Sequence, residues 1–195
     1  MTNASEMPRK LTILGSTGSI GSNTLDVVRQ LGGRGQFEIV ALTGAGNIAL
    51  LAEQARQFGA ELAVTAEDDK YEDLKSALAG TGIKTAAGKS GLEEAASMDA
   101  GWVMAAIAGT PGLAPTVTAA RRGADIALAN KECLVSAGDV FIRTVKQGGG
   151  RLIPVDSEHS ALAQCLRGGS RKELDHLVLT ASGGPFRGWT REQMW

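Results

Sequence analysis

Leu11-Thr12-Ile13-Leu14 runs directly into Gly15-Ser16-Thr17-Gly18-Ser19-Ile20-Gly21 and then into an amphipathic stretch. A strand that turns sharply on glycine and opens into a helix presents backbone N–H groups to an anion, and missing side chains let a pyrophosphate approach. Ser16, Thr17 and Ser19 add hydroxyl donors. The bland alternative is a glycine-rich turn that binds nothing. The second predicted strand ends in Thr43-Gly44-Ala45-Gly46-Asn47. An NAD site wants a carboxylate there for the ribose 2′-hydroxyl, and its absence favours NADP. Asn47 equally suits the N-cap of the next helix.

Ala127-Leu128-Ala129 delivers Asn130-Lys131-Glu132 to a strand's carboxyl edge, where open α/β sheets bind ligands. Lys131 can hold a phosphate or polarise a substrate oxygen, while Asn130 and Glu132 can orient a cofactor ring or ribose. Without a ligand, Asn130 reads as a helix cap followed by two solvated charges. At the next strand end, Asp156 and Glu158 stand at i and i+2. On an extended segment the two carboxylates can share a hard cation such as Mg²⁺ or Mn²⁺, with substrate oxygens, water and a further carboxylate filling the shell. The same residues suit a helix start capped by Asp156 or Ser157. His159 and His176 read as surface or partly buried residues rather than ligands. Gly183-Gly184 frees the backbone to approach a ligand, and Ser182 can bond a phosphate or hydroxyl.

The elements that must hold these residues alternate. Strand periodicity marks 11–14, 38–42, 62–64, 102–106, 125–129, 152–155 and 177–180, and helical periodicity marks 20–31, 48–58, 71–78, 113–122 and 140–147. Such alternation predicts an α/β fold with a doubly wound, Rossmann-like parallel sheet. The boundary is placed after Gly148-Gly149-Gly150, giving a cofactor domain over 1–150 and the start of a second domain over 151–195. Thr190-Arg191-Glu192-Gln193 has capping-box spacing that announces a helix with no body, so a fragment is expected.

Composition narrows the partners. Lys and Arg total 20 against 21 for Asp and Glu, with 43% apolar residues, so a folded protein that attracts neither nucleic acid nor an anionic membrane is expected. No run approaches the roughly 18 apolar residues of a membrane span, and the polar N-terminus is no secretory signal, which points to a cytoplasmic protein. Cys133 and Cys165 sit in helical patterns without metal spacing and read as reduced core residues. Trp102, Trp189 and Trp195 read as core or packing residues.

Taken in order and spacing, the glycine loop 15–21, Leu128 to Glu132, Pro154 to Ser160 and Ser182 to Arg187 resemble the 1-deoxy-D-xylulose 5-phosphate reductoisomerase family. The resemblance implies NADPH contacts from Thr17, Gly18, Ser19, Ile20, Ala45, Gly46, Asn47, Asn130 and Glu132. It assigns Lys131, Ser157, Glu158 and Ser182 to the substrate, and Asp156 and Glu158 to Mg²⁺ or Mn²⁺. The implied reaction rearranges a small phosphorylated sugar to an aldehyde on the metal and reduces it with NADPH to 2-C-methyl-D-erythritol 4-phosphate. A homodimer is implied for the full-length enzyme, and the beginning of an α+β catalytic domain is implied after the sheet. Many family members carry lysine or arginine where Gly46 stands, and Arg56 is the candidate replacement for gripping the 2′-phosphate. Family members also continue through a lid, further ligands and a helical domain beyond the residues seen here. Two competing readings are an isolated NADPH-binding module and an NADP-dependent semialdehyde dehydrogenase, which needs a cysteine in an exposed loop.

Overall fold

The computed structural model describes residues 7–180 and 186–195. In chain order, β1 (Arg9–Leu14) leads into α1 (Ser19–Gln30), β2 (Phe37–Gly44) into α2 (Ile48–Phe58), and β3 (Leu62–Thr65) into α3 (Tyr71–Ala77). Then come β4 (Lys84–Ala87) with α4 (Gly88–Ser97) and β5 (Trp102–Ala105) with α5 (Leu113–Arg121). The series ends with β6 (Asp125–Leu128) and α6 (Glu132–Gly148), then β7 (Leu152–Pro154) and α7 (Ser157–Arg167).

One seven-stranded sheet has the order β4-β3-β2-β1-β5-β6-β7. The ladders β1–β2, β1–β5, β2–β3, β3–β4 and β5–β6 are all parallel. The chain winds outward from β1 to β4, then returns to the other side of β1 with β5. That reversal opens a crevice at the carboxyl ends of β1 and β5, the usual ligand position of such sheets. The doubly wound α/β fold expected from the alternation is present.

Both faces of the sheet are covered, so its strands read as continuous apolar runs. Ile13 joins Leu25 of α1, Leu51 of α2 and Leu74 of α3, whereas its neighbour Leu14 joins Ala95 of α4, Ala120 of α5 and Phe141 of α6. Full burial of each large side chain stabilises by roughly 1.5–3 kcal/mol. Between Leu11 and Thr12 the pairing with β2 shifts register, and Val40 is the extra residue.

Several expectations are corrected. Leu177 to Thr180 forms no strand: Leu177, Val178 and Leu179 are exposed, and apolar periodicity cannot form a ladder without a neighbouring strand. β4 was missed because Lys84-Thr85-Ala86-Ala87 is short and weakly apolar, and α4 because glycines and alanines, with Leu92 alone as a large residue, make up its buried face. α6 begins at Glu132, well before Val140, and bends at Ala137 (φ −147°, ψ 30°). Cys165 is exposed rather than core, unlike Cys133. Trp189 and Trp195 are also exposed, Trp189 meeting only the Phe186 ring edge to face at 5.4 Å among the aromatic contacts.

The chain divides into two compact units, Met1–Ile153 and Pro154–Trp195. In the second, α7 is followed by the 3₁₀ turns Arg171–Glu173 and Glu192–Met194. The expected capping box forms at the latter. The Thr190 amide donates to Gln193 Oε1 at 2.8 Å and the Gln193 amide donates to Thr190 Oγ1 at 3.4 Å.

Candidate functional site

The three glycines after β1 do different jobs. Gly15 takes φ +91°, and a Cβ there would stand 2.8 Å from the Ala106 carbonyl, so the loop can pass the end of β5 only without a side chain. A Cβ on Gly21 would lie 2.2 Å from Gly15 O and 2.5 Å from Ser16 Cα, so this glycine lets α1 sit against the loop. Gly18 differs, because its nearest obstruction would be 3.5 Å away. The protein does not require glycine there; a ligand's close approach would. Gly18 is the N-cap of α1, with no side-chain cap bond and no acidic residue in the first turn. The unsatisfied amides and positive dipole end are thus left to an anion.

Hydrogen bonds fix this loop on β2. The Gly15 amide donates to Thr43 Oγ1 at 2.9 Å and the Ser16 amide to Thr43 O at 2.7 Å. Ser16, expected as a ligand donor, is fully buried and donates its hydroxyl to Gln54 Oε1 at 2.8 Å, while Gln54 Nε2 returns a bond to Ser16 O at 3.1 Å. Gln54 was missed; its signal is a polar residue on the buried face of α2 beside Leu51 and Phe58. Thr17 is half-buried, and Gly18, Ser19 and Ile20 are exposed at the loop's outer edge.

Ala45, Gly46 and Asn47 form the exposed turn after β2. Asn47 caps α2 with its side-chain oxygen, accepting from the Leu50 amide at 3.2 Å, so the cap does not use its side-chain N–H donors. Arg56 does not face this turn, because its Nη1 donates to Ala77 O at the end of α3. Nearby, a cleft of about 550 Å³ runs between Ala66, Lys89 and Leu92 on one side and Thr110, Pro111 and Ala114 on the other.

Asn130 follows β6 and is only 3% exposed. It is no helix cap: Lys131 occupies the N-cap of α6 and makes no cap bond. The Asn130 Nδ2 instead donates to Ile107 O at 2.5 Å and Gly109 O at 2.9 Å, tying the end of β6 to the loop after β5. Its Oδ1 is buried with no partner among the described residues, an acceptor suited to a ligand amide or water. Lys131 and Glu132 are exposed. Thus the expected cofactor residues follow the carboxyl ends of β1, β2 and β6. Cys133 is an unsuitable nucleophile, since burial pushes its thiol up. Cys165 lies on α7 rather than in a loop.

In the second unit, Asp156 and Glu158 are not on an extended segment. Asp156 is the N-cap of α7, accepting from the His159 amide at 2.9 Å, and its Oδ2 stands 2.6 Å from His159 Nδ1. Ser157 Oγ donates to Glu158 Oε2 at 2.9 Å. The cap geometry won because an aspartate at a helix start satisfies backbone donors at once. Both carboxylates remain at the start of α7, as hard oxygen donors. No group of three or more His, Cys, Asp and Glu side chains suited to a metal occurs among the described residues. Ser182, with Gly183 and Gly184, lies outside the described residues.

A doubly wound sheet with a glycine loop at the end of its first strand defines a dinucleotide-binding class of domain. The chain belongs to the 1-deoxy-D-xylulose 5-phosphate reductoisomerase family, whose model matches residues 11–138, with the model of that enzyme's C-terminal domain matching 152–195. It is 85% identical to 1-deoxy-D-xylulose 5-phosphate reductoisomerase of Agrobacterium fabrum over 194 residues, covering 100% of this chain and 49% of the relative. The corresponding Rhizobium meliloti protein is 66% identical, at 100% and 50% coverage. The chain therefore spans about half the length of these curated relatives. Among solved structures, the Zymomonas mobilis enzyme in complex with NADPH superposes with TM-score 0.87 at 47% identity, over 94% of this chain and 48% of that one. A reductoisomerase in complex with NADPH, fosmidomycin and magnesium gives 0.76 at 42% identity, over 81% and 39%.

Proposed function

We infer that this chain supplies the NADPH site and part of the metal and substrate site of an enzyme converting 1-deoxy-D-xylulose 5-phosphate to 2-C-methyl-D-erythritol 4-phosphate. The observation that carries the reading is Gly18, a residue whose missing side chain the protein itself does not need, at the uncapped start of α1. Thr17 to Ile20 hold the pyrophosphate through backbone amides. Ala45, Gly46 and Asn47 border the adenosine ribose, and the cleft beside Ala66 and Pro111 takes the flat base. Asn130 offers its buried Oδ1 to the nicotinamide end, with Glu132 beside it. NADPH supplies hydride when bound, and a divalent cation supplies Lewis acidity toward substrate oxygens.

Asp156 and Glu158 are the residues of this chain that hold Mg²⁺ or Mn²⁺ in this reading, while Lys131, Ser157, Glu158 and Ser182 orient the phosphorylated substrate. The domain boundary after Gly150, a homodimer for the full-length enzyme and a cytoplasmic location belong to the same reading. None of the helices among the described residues is long and apolar enough to cross a membrane.

The test separates the cap at Asp156 from the ligand. In a polypeptide of the relatives' full length, chelation abolishes NADPH oxidation with deoxyxylulose phosphate and Mn²⁺ restores it. Asp156→Asn keeps the α7 cap yet lowers kcat/KM at least about a hundredfold, the upper end of what even outer-shell partners cost. Turnover that survives both chelation and this substitution overturns the metal assignment.

A further inference from the structure

We propose that Lys89, at the start of α4, is the cation that holds the 2′-phosphate of NADPH and so sets the preference of this site for NADPH over NADH. The proposal rests on the dinucleotide reading above and deepens it. The turn after β2 leaves the phosphate's charge unanswered, because Ala45, Gly46 and Asn47 bring no cation. Its surroundings are acidic instead. A Cβ on Gly46 would stand 3.2 Å from Glu67 Oε1, and one on Gly88 would press against the Asp68 carboxylate. A phosphate held here needs a positive group close by that offsets both.

Two cations near these turns in the chain are engaged elsewhere. Arg56 donates to Ala77 O, and Lys70, just beyond β3, pairs with Asp73 at 3.8 Å. Lys89 is exposed and takes part in none of the ion pairs found among the described residues. It is the cation among the residues that line the cleft of about 550 Å³, which it shares with Ala66 and with Glu93 one helical turn farther on. The Ala66 side of that cleft is fastened to the ribose turn: the Ala66 amide donates to Gly44 O at 2.7 Å, and the buried Thr65 hydroxyl donates to Ala45 O at 3.1 Å. A base in the cleft therefore leaves its ribose at this turn, with the lysine on the wall of the same cavity. An ammonium on a flexible four-carbon stem meets a phosphate as a point charge, so it can serve without the fixed fork of an arginine.

Dissociation constants for NADPH and NADH, measured by fluorescence titration of the chain, Lys89→Gln, Lys89→Arg and Arg56→Gln, test this. Lys89→Gln should weaken NADPH by about three- to tenfold, the range for one solvent-screened charge beside a phosphate, and should leave NADH unchanged. Lys89→Arg keeps the charge and should keep the preference, and Arg56→Gln should move neither nucleotide. The preference of the unsubstituted chain should also shrink as salt is raised, a readout that needs no variant. Equal weakening of both nucleotides in Lys89→Gln would make the lysine a wall of the base cleft only, and overturns the proposal. So does an unmoved NADPH constant, an unsubstituted chain that binds NADH as tightly as NADPH, or loss of the preference in Arg56→Gln instead; each leaves the dinucleotide site intact. Failure of the unsubstituted chain to bind either nucleotide overturns the dinucleotide reading and the proposal with it.

Discussion

Three glycines spaced alike in the sequence are separated in the structure by what stands next to each. Gly18→Ala should leave the melting temperature unchanged but weaken NADPH roughly tenfold or more, one lost contact of about 1.4 kcal/mol. Gly21→Ala forces backbone to move, because its Cβ would meet Gly15 O at 2.2 Å. It should cost about 1–3 kcal/mol and several degrees of melting temperature. Thermal denaturation beside fluorescence titration distinguishes the two, and the reverse pattern would exchange their roles. The loop was legible because turn chemistry and strand-helix context are local. The direction of the Ser16 hydroxyl was not, because its partner Gln54 lies 38 residues away on α2.

Elements were readable where large apolar side chains marked a period. α2 spans Ile48–Phe58 as expected, with Leu51, Ala55 and Phe58 buried. In α4 the buried face is two glycines, two alanines and Leu92, which gave too weak a contrast, and the apolar run 177–180 gave a false signal because a strand is defined by its neighbour. Next to the β7 edge of the sheet, Asp125 at the start of β6 accepts from the Arg151 amide at 2.9 Å and pairs with its guanidinium, which also lies 6.0 Å from the Trp102 ring centroid. The side-chain bond from Arg151 holds the Asp125 carboxyl below its usual range. A lowered folded value means that the stabilisation is complete above the unfolded carboxylate value of about 3.9 and is lost as pH falls through the folded one. Asp125→Asn should therefore lower the melting temperature near neutral pH by a small amount, since the exposed guanidinium is screened. That difference should vanish in strong acid. A melting series against pH checks it, and a deficit that persists when carboxylates are protonated would assign the loss to packing instead.

At the scale of the whole molecule the two units are unequal. Every buried apolar residue among those described lies at or before Val145, and α7 buries none. The residues proposed for the cofactor lie in the first unit and the carboxylates proposed for the metal in the second. Residues 1–195 alone should therefore bind NADPH yet fail to oxidise it with deoxyxylulose phosphate and Mn²⁺, because two carboxylates leave a hard cation weakly held and the substrate poorly oriented. Loss of NADPH absorbance against a full-length relative measures this, and robust turnover would mean that the site is already complete. The doubly wound architecture was legible because alternation constrains topology; the split between a packed unit and a thinly packed one was not, since burial depends on neighbours that periodicity does not name. One amide has a bearing on timing as well as on contact. Asn130 fastens the loop after β5 to the end of β6 with both of its N–H groups, so the β5 side of the crevice is tied to its neighbour by the fold itself. The ordering of that loop was settled when the chain folded, so a ligand bound against it would not have to supply the entropy of fixing it.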